Sequence, residues 1–240
     1  MDCYICHRPL SGKYYLDFWQ HPCCASHYET GQVLSCTSCQ SFTSVSEALR
    51  LPDGRQLCPN CQRLVVSTEE QVTRQKKLIL MRLNDVDITF ADRHLDSVPV
   101  SIVTLRQMCE LRQADVSVSN KGMTLTTTTR RGLQTSYTHH VYVLDHLTRA
   151  DFTLTLAHEL LHVWQNEHGL SLPDPSCEGL CNLAAWYVLH KLPSSLNDYY
   201  IKTLEENTDP VYGDGFRHVL ARYRQVGWEG VLQEALDGCL

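Results

Sequence analysis

His158, Glu159 and His162 form an HExxH pattern in the segment His158-Glu159-Leu160-Leu161-His162. On a helix, side chains four residues apart share a face, so the two imidazoles can reach one metal ion. Glu159 stands beside the first histidine, where a carboxylate can take a proton from a water activated by that ion. The surrounding stretch 150–167 has apolar residues at Phe152, Leu154, Leu156, Leu160, Leu161, Val163 and Trp164. That pattern predicts a mostly buried helix of about five turns.

Two histidines do not complete a zinc site, because catalytic zinc takes three protein ligands and keeps a fourth position open. Pro173-Asp174-Pro175-Ser176 signals a second helix after a short turn, with Glu178 in its first turn. A helix returning there would face Glu178 toward the histidines, so His158, His162 and Glu178 are the expected ligands of one catalytic zinc. A glutamate supplied by a following helix is also the arrangement of thermolysin-like peptidases. The plainer reading is that Glu178 only complements the helix N-terminus. Asp174 and His168 are weaker candidates, being close in sequence to His162. Asn182, four residues on, can bond a ligand histidine and set its tautomer, or be satisfied locally. Cys177 and Cys181 read as small buried thiols rather than ligands.

Eight of the twelve cysteines fall within the first 61 residues of the chain. Seven of them, with His27, pair as Cys3-x2-Cys6, Cys24-x2-His27, Cys36-x2-Cys39 and Cys58-x2-Cys61, with loops of 17 and 18 residues inside the two sets. Such spacing predicts two tetrahedral structural zinc sites. Cys3, Cys6, Cys24 and His27 hold the first; Cys36, Cys39, Cys58 and Cys61 hold the second. His21-x2-Cys24 is an alternative pair for the first site. Two modules in series resemble a LIM domain, although eight residues connect them here where two are usual.

The formal net charge of −6 is the wrong sign for a phosphate-binding surface, so no nucleic-acid partner is expected. No apolar run is long enough to cross a membrane, and Met1-Asp2-Cys3 leads straight into a ligand pair without a secretory signal. A reduced, cytoplasmic protein with protein partners is the expectation.

The predicted organisation is α+β, with a LIM-like tandem zinc module over 1–66 and a zinc metallopeptidase domain over 67–240. The first is too small to fold on hydrophobic burial alone and needs its metal. In the second, Ser67-Thr68-Glu69-Glu70 caps a helix reaching about Arg82, with Val72, Leu78, Leu80, Met81 and Leu83 on its apolar side. Ile88-Thr89-Phe90 reads as a short strand and 99–111 as a helix. Residues 114–119 and 123–129 read as a hairpin turning at Asn120-Lys121-Gly122, and 138–144 as a further strand before the metal helix. In zinc peptidases of this class an edge strand beside that helix binds the substrate backbone. His139 and His140 are expected to be ordinary strand residues, with the option that one lines the cleft. The rest is predicted to be mostly helical.

Four segments carry a family likeness: the double zinc module ending in Leu51-Pro52-Asp53-Gly54-Arg55-Gln56-Leu57-Cys58, the block 156–164 around HExxH, Glu178-Gly179-Leu180-Cys181, and Asp209-Pro210-Val211-Tyr212-Gly213-Asp214-Gly215-Phe216-Arg217. Together they resemble the LIM-containing zinc peptidases that restrain organ growth in plants, the DA-one family, and relatives outside plants. The resemblance implies a gluzincin-like domain and a latent endopeptidase, activated by ubiquitin modification or binding, that cleaves regulatory proteins. Ubiquitin or ubiquitylated proteins are thereby implied as partners. Two departures from the plant pattern are the lack of N-terminal ubiquitin-interacting helices and the presence of only the second, divergent LIM-like module.

Within the last block, Tyr212 is the first candidate to donate to the oxyanion, with Tyr187 and His218 next. A packed tyrosine starting the next helix is the plainer reading of Tyr212. Gly213 and Gly215 are expected to allow a tight turn, and Arg217 to hold Asp214. Two other functions share these features: a deubiquitylating or ubiquitin-fusion-cleaving zinc protease, and a non-catalytic LIM-type scaffold.

Overall fold

The computed structural model describes residues 1–90, 98–132 and 134–240. It is α+β, with small sheets and eight helices among the described residues. The chain divides into two compact units, Met1–Val66 with His146–Thr148, and Ser67–Asp145 with Arg149–Leu240.

The first unit is built from two-stranded ribbons and very short helices. Strand β1 (Tyr14–Leu16) pairs antiparallel with β2 (Pro22–Cys24), which runs into helix α1 (Ala25–Glu29). Strands β3 (Val33–Ser35) and β4 (Phe42–Ser44) form a second ribbon. Strands β5 (Leu49–Arg50) and β6 (Gln56–Leu57) form a third, followed by helix α2 (Pro59–Gln62). Cys3, Cys23, Val33 and Phe42 make a small buried cluster, too little to stabilise 66 residues without further links. One such link is Asp17. Its side chain accepts the backbone N–H groups of Trp19, His21 and Phe42, the Ser41 hydroxyl and the His21 ring.

The second unit opens with helix α3 (Glu69–Asn84), which Thr68 and Gln71 start with a reciprocal capping box. Its buried side is Val72, Lys76, Ile79 and Leu83. Met81, expected on the apolar side, is 53% exposed, because the stripe follows steps of three and four from Val72. Ile88-Thr89-Phe90 is not a strand. Asp87 adopts a left-handed φ of 62°, and the Ile88 N–H donates to the Leu83 carbonyl, so this segment closes the helix C-terminus instead.

Residues 99–111 are not one helix. Val100–Val103 is strand β7, and α4 (Leu105–Arg112) begins only after Thr104, which forms a capping box with Gln107. The β-branched Val100, Ile102 and Val103 favour extended backbone, and the cap resets the chain. The hairpin is shifted as well. It joins β8 (Gly122–Arg131) to β9 (Gln134–Leu144), and 114–119 forms no strand. The threonine run continues past 129, and Gly132, at φ 63°, lies in the turn in place of Asn120-Lys121-Gly122. Strand β7 joins β9 in parallel, giving the order β7-β9-β8 with β8 at an edge.

Four helices complete the unit: α5 (Arg149–Glu167), α6 (Asp174–His190), α7 (Ser195–Glu205) and α8 (Tyr212–Leu236), the last broken at Gly227. Phe152, Leu156, Leu160 and Leu161 of α5 are fully buried with Leu180 and Leu183 of α6. Gly213 and Gly215 do not form a loop turn; they lie in the first turn of α8. A Cβ on Gly215 would stand 2.1 Å from the Pro175 carbonyl oxygen, and one on Gly179 would stand 2.4 Å from that of Gly215. Missing side chains thus let the starts of α6 and α8 touch backbone to backbone.

Candidate metal centres

Both sulfur-rich sets assemble in the first unit. Cys3, Cys6, Cys24 and His27 form one cluster and Cys36, Cys39, Cys58 and Cys61 another, each able to hold a metal ion. The Cys6 and Cys24 sulfurs are 4.0 Å apart and those of Cys39 and Cys58 3.8 Å apart. A disulfide needs about 2.0 Å, whereas the edge of a zinc–thiolate tetrahedron is about 3.8 Å. All twelve cysteines are free. Backbone N–H groups of Cys24 and Cys58 point at the sulfurs of Cys3 and Cys36 at 3.4 and 3.3 Å. Burial works to raise the Cys3 thiol, but backbone N–H groups led by that of Cys24 bring it down to about 5, as a thiolate ligand requires. His21 is outside the cluster: its Nδ1 pairs with Asp17 at 2.8 Å and its ring stacks on Tyr4.

In the second unit, helix α5 brings His158 and His162 one turn apart, with ring centroids 4.9 Å apart. Gln165 of α5 reaches Cys177 of α6, and His158 reaches Asn182 further along, so α6 runs antiparallel to α5. Glu178 is thereby carried to the histidines. Its Oε2 lies 3.0 Å from His158 Nε2 and 3.5 Å from His162 Nε2.

Hydrogen bonds behind the rings fix their tautomers. Asn182 Nδ2 donates to the Tyr212 carbonyl at 3.0 Å, which leaves Oδ1 to accept from His158 Nδ1 at 2.9 Å. Gln165 Nε2 donates to the Cys177 carbonyl at 3.0 Å, which leaves Oε1 to accept from His162 Nδ1 at 3.0 Å. Both Nε2 atoms therefore turn lone pairs toward Glu178 Oε2, a buried oxygen with no hydrogen-bond donor in place. Three electron-rich atoms facing one point suit a divalent cation.

Cys181 departs from its reading as a mere filler. With His158 and His162 it forms a group close enough to hold an ion, its sulfur 3.4 Å from His162 Nδ1. That face of His162 is already occupied by Gln165, and burial pushes the Cys181 thiol up to about 12. The Nε2 side, with Glu178, is the better donor set for a hard or borderline metal.

Glu159 is 7% exposed and wedged between α5 and β8. The Thr124 hydroxyl donates to its Oε2 at 2.7 Å, and a Cβ on Gly122 would lie 2.4 Å from its Oε1. Tyr212 opens α8, its ring facing His158 with centroids 6.4 Å apart. Asp209 Oδ1 accepts the N–H groups of Val211 and Tyr212, pinning that residue. Burial and the Glu178 charge raise the Tyr212 phenol, so it is a protonated donor at neutral pH. Arg217 bonds Asp214 as expected, and also the Glu205 carbonyl.

Tyr187 packs edge-on against Trp228, and His218 is exposed near Glu234, so neither joins the site. His139 is buried, with Nδ1 2.9 Å from the Thr126 hydroxyl and Nε2 3.6 Å from Glu167. His140 pairs with Ser101. Gln165, Gly122 and Thr124 were not anticipated. Gln165 was findable, standing three residues after His162 on the same helix face. Gly122 and Thr124 had no such signal, because only the strand placement brings them to Glu159.

Among the described residues, no helix is long and apolar enough to cross a membrane. Comparison with known proteins found no matching family model, no matching curated protein and no matching solved structure.

Proposed function

We propose that the chain is a zinc-dependent endopeptidase acting on protein substrates, with two structural zinc sites in its first unit. The observation that carries this is the convergence of His158 Nε2, His162 Nε2 and Glu178 Oε2, with both Nδ1 atoms bonded from behind. A zinc ion held there would supply Lewis acidity toward a water molecule and the scissile carbonyl. Glu159 accepts the proton released by the attacking water and returns it to the leaving amine. Thr124 fixes the direction of that carboxylate. Tyr212 donates its phenol proton in a hydrogen bond to the carbonyl oxygen as negative charge develops. The exposed edge of β8, next to Glu159, takes the substrate backbone as an added strand.

The link to ubiquitin, the gluzincin-like assignment and the kinship with the plant growth-restraining peptidases rest on the motif resemblance. Wild type and Glu159→Gln are to be compared on ubiquitin, linear ubiquitin fusions and a cell lysate, with new N-termini read by mass spectrometry. New ends with wild type alone are expected, and their positions separate a ubiquitin-cleaving enzyme from a broader endopeptidase. No new ends from either protein, with three zinc ions bound in both and ubiquitylating enzymes supplied, would replace the enzyme with a scaffold.

A further inference from the structure

Arg112, the last residue of α4, donates from Nη2 to the Gly122 carbonyl oxygen at 2.8 Å. It is exposed, and among the described residues no carboxylate pairs with it. Most of its N–H groups are therefore available to a ligand. Gly122 is also the residue packed on Glu159 Oε1. Standard bond lengths along that path place the guanidinium within roughly 9 Å of the Glu159 carboxylate.

The position on the sheet is specific. The Leu144 N–H donates to the Lys121 carbonyl, so Lys121 faces β9. Backbone groups alternate along a strand, and Gly122 and Thr124 thus present theirs on the edge of β8 away from β9, which pairs with no strand among the described residues. Arg112 closes that edge at Gly122, beside the base. The Arg112 charge also acts on the Tyr212 phenol, working against the upward push of burial and of Glu178. Glu159 and Glu178 would repel an acidic peptide arriving at this place, and one unpaired guanidinium offsets that repulsion.

Resting on the peptidase reading, we propose that Arg112 is a specificity-determining residue that binds a substrate carboxylate close to the scissile bond. A planar guanidinium holds a carboxylate through two parallel hydrogen bonds, a geometry an ammonium group cannot reproduce. The carboxylate belongs either to an Asp or Glu side chain or to a free C-terminus, and the two sources are separable by experiment.

The test uses full-length wild type, Arg112→Ala and Arg112→Glu, all loaded with zinc, on a peptide library prepared with free and with amidated C-termini. Wild type is expected to favour peptides with a carboxylate within two residues of the cleaved bond. Arg112→Ala should lose about 10- to 100-fold in kcat/KM on those peptides, mainly through KM. Arg112→Glu should turn the preference toward Lys and Arg. Loss of preference on amidation identifies the C-terminal carboxylate; persistence identifies the side chain. Matching preference profiles for wild type and Arg112→Ala would overturn the proposal, as would faster cleavage of every peptide by Arg112→Ala. If wild type cleaves nothing even with ubiquitylating enzymes supplied, the peptidase reading fails, and fluorescence anisotropy with the same peptides decides carboxylate recognition alone. Equal binding of acidic and neutral peptides by wild type would then overturn it.

Discussion

Gly122 and Glu159 are packed so closely that a methyl group on the glycine would lie 2.4 Å from the glutamate Oε1 and 2.6 Å from its Cγ. The strand and the helix meet at the one carboxylate assigned to proton transfer. Gly122→Ala must therefore push Glu159 aside and disturb the hydrogen bond it accepts from the Thr124 hydroxyl. Peptidase activity is expected to fall about 100- to 10,000-fold, the usual worth of a positioned base. Zinc content, measured by atomic emission, should stay unchanged. A fully active Gly122→Ala protein would remove Glu159 from that role.

Gln165 holds His162 through Nδ1 and is itself held by the Cys177 carbonyl. Gln165→Ala frees the ring to rotate and to carry its proton on either nitrogen. Affinity for the third zinc should drop about 10- to 100-fold in competition with a chromogenic chelator. The two sites in the first unit should titrate as in wild type. Unaltered affinity at all three would show that Gln165 does not orient the ligand.

Gly179 meets the Gly215 carbonyl at the contact between α6 and α8. Gly179→Ala forces these helices apart at the residue next to Glu178. A loss of about 1–3 kcal/mol in urea denaturation is expected from overpacking. Weaker zinc binding at the histidine site should accompany it, because Glu178 moves with the helix.

Asp17 ties the β1–β2 ribbon to β4 through buried hydrogen bonds. Burial works to raise its carboxyl, but the N–H groups of Phe42 and His21 hold it below the usual 3.8. The folded value is the lower one, so this stabilisation is complete above the ordinary carboxylate range and lost as pH falls through the folded pKa. At pH 7 Asp17→Asn should lower stability by about 1–3 kcal/mol, seen as faster amide exchange over residues 14–44. Exchange rates equal to wild type would deny Asp17 that role.

The residue order of this chain by itself pointed to both cysteine-rich clusters that could hold a metal and to the meeting of His158, His162 and Glu178, because chelation obeys local rules. Pairs three residues apart on a turn, histidines four apart on a helix and a glutamate at the next helix start all come together through short-range geometry. The capping box at Thr68 and the proline-marked start of α6 were legible for the same reason. What the tertiary structure alone decided is the setting of the proton-transfer group. Gly122 looked like a turn residue, since nothing local separates a turn glycine from one that admits a neighbouring side chain. Likewise Gly213 and Gly215 suggested a tight turn, and Gly213 does lie against the Asn207 carbonyl, yet Gly215 serves a helix contact with Pro175 and Gly179 made across more than 30 residues. Strand register and helix packing are fixed by burial summed over the whole unit, and that sum places Arg112, Gly122 and Thr124 beside Glu159.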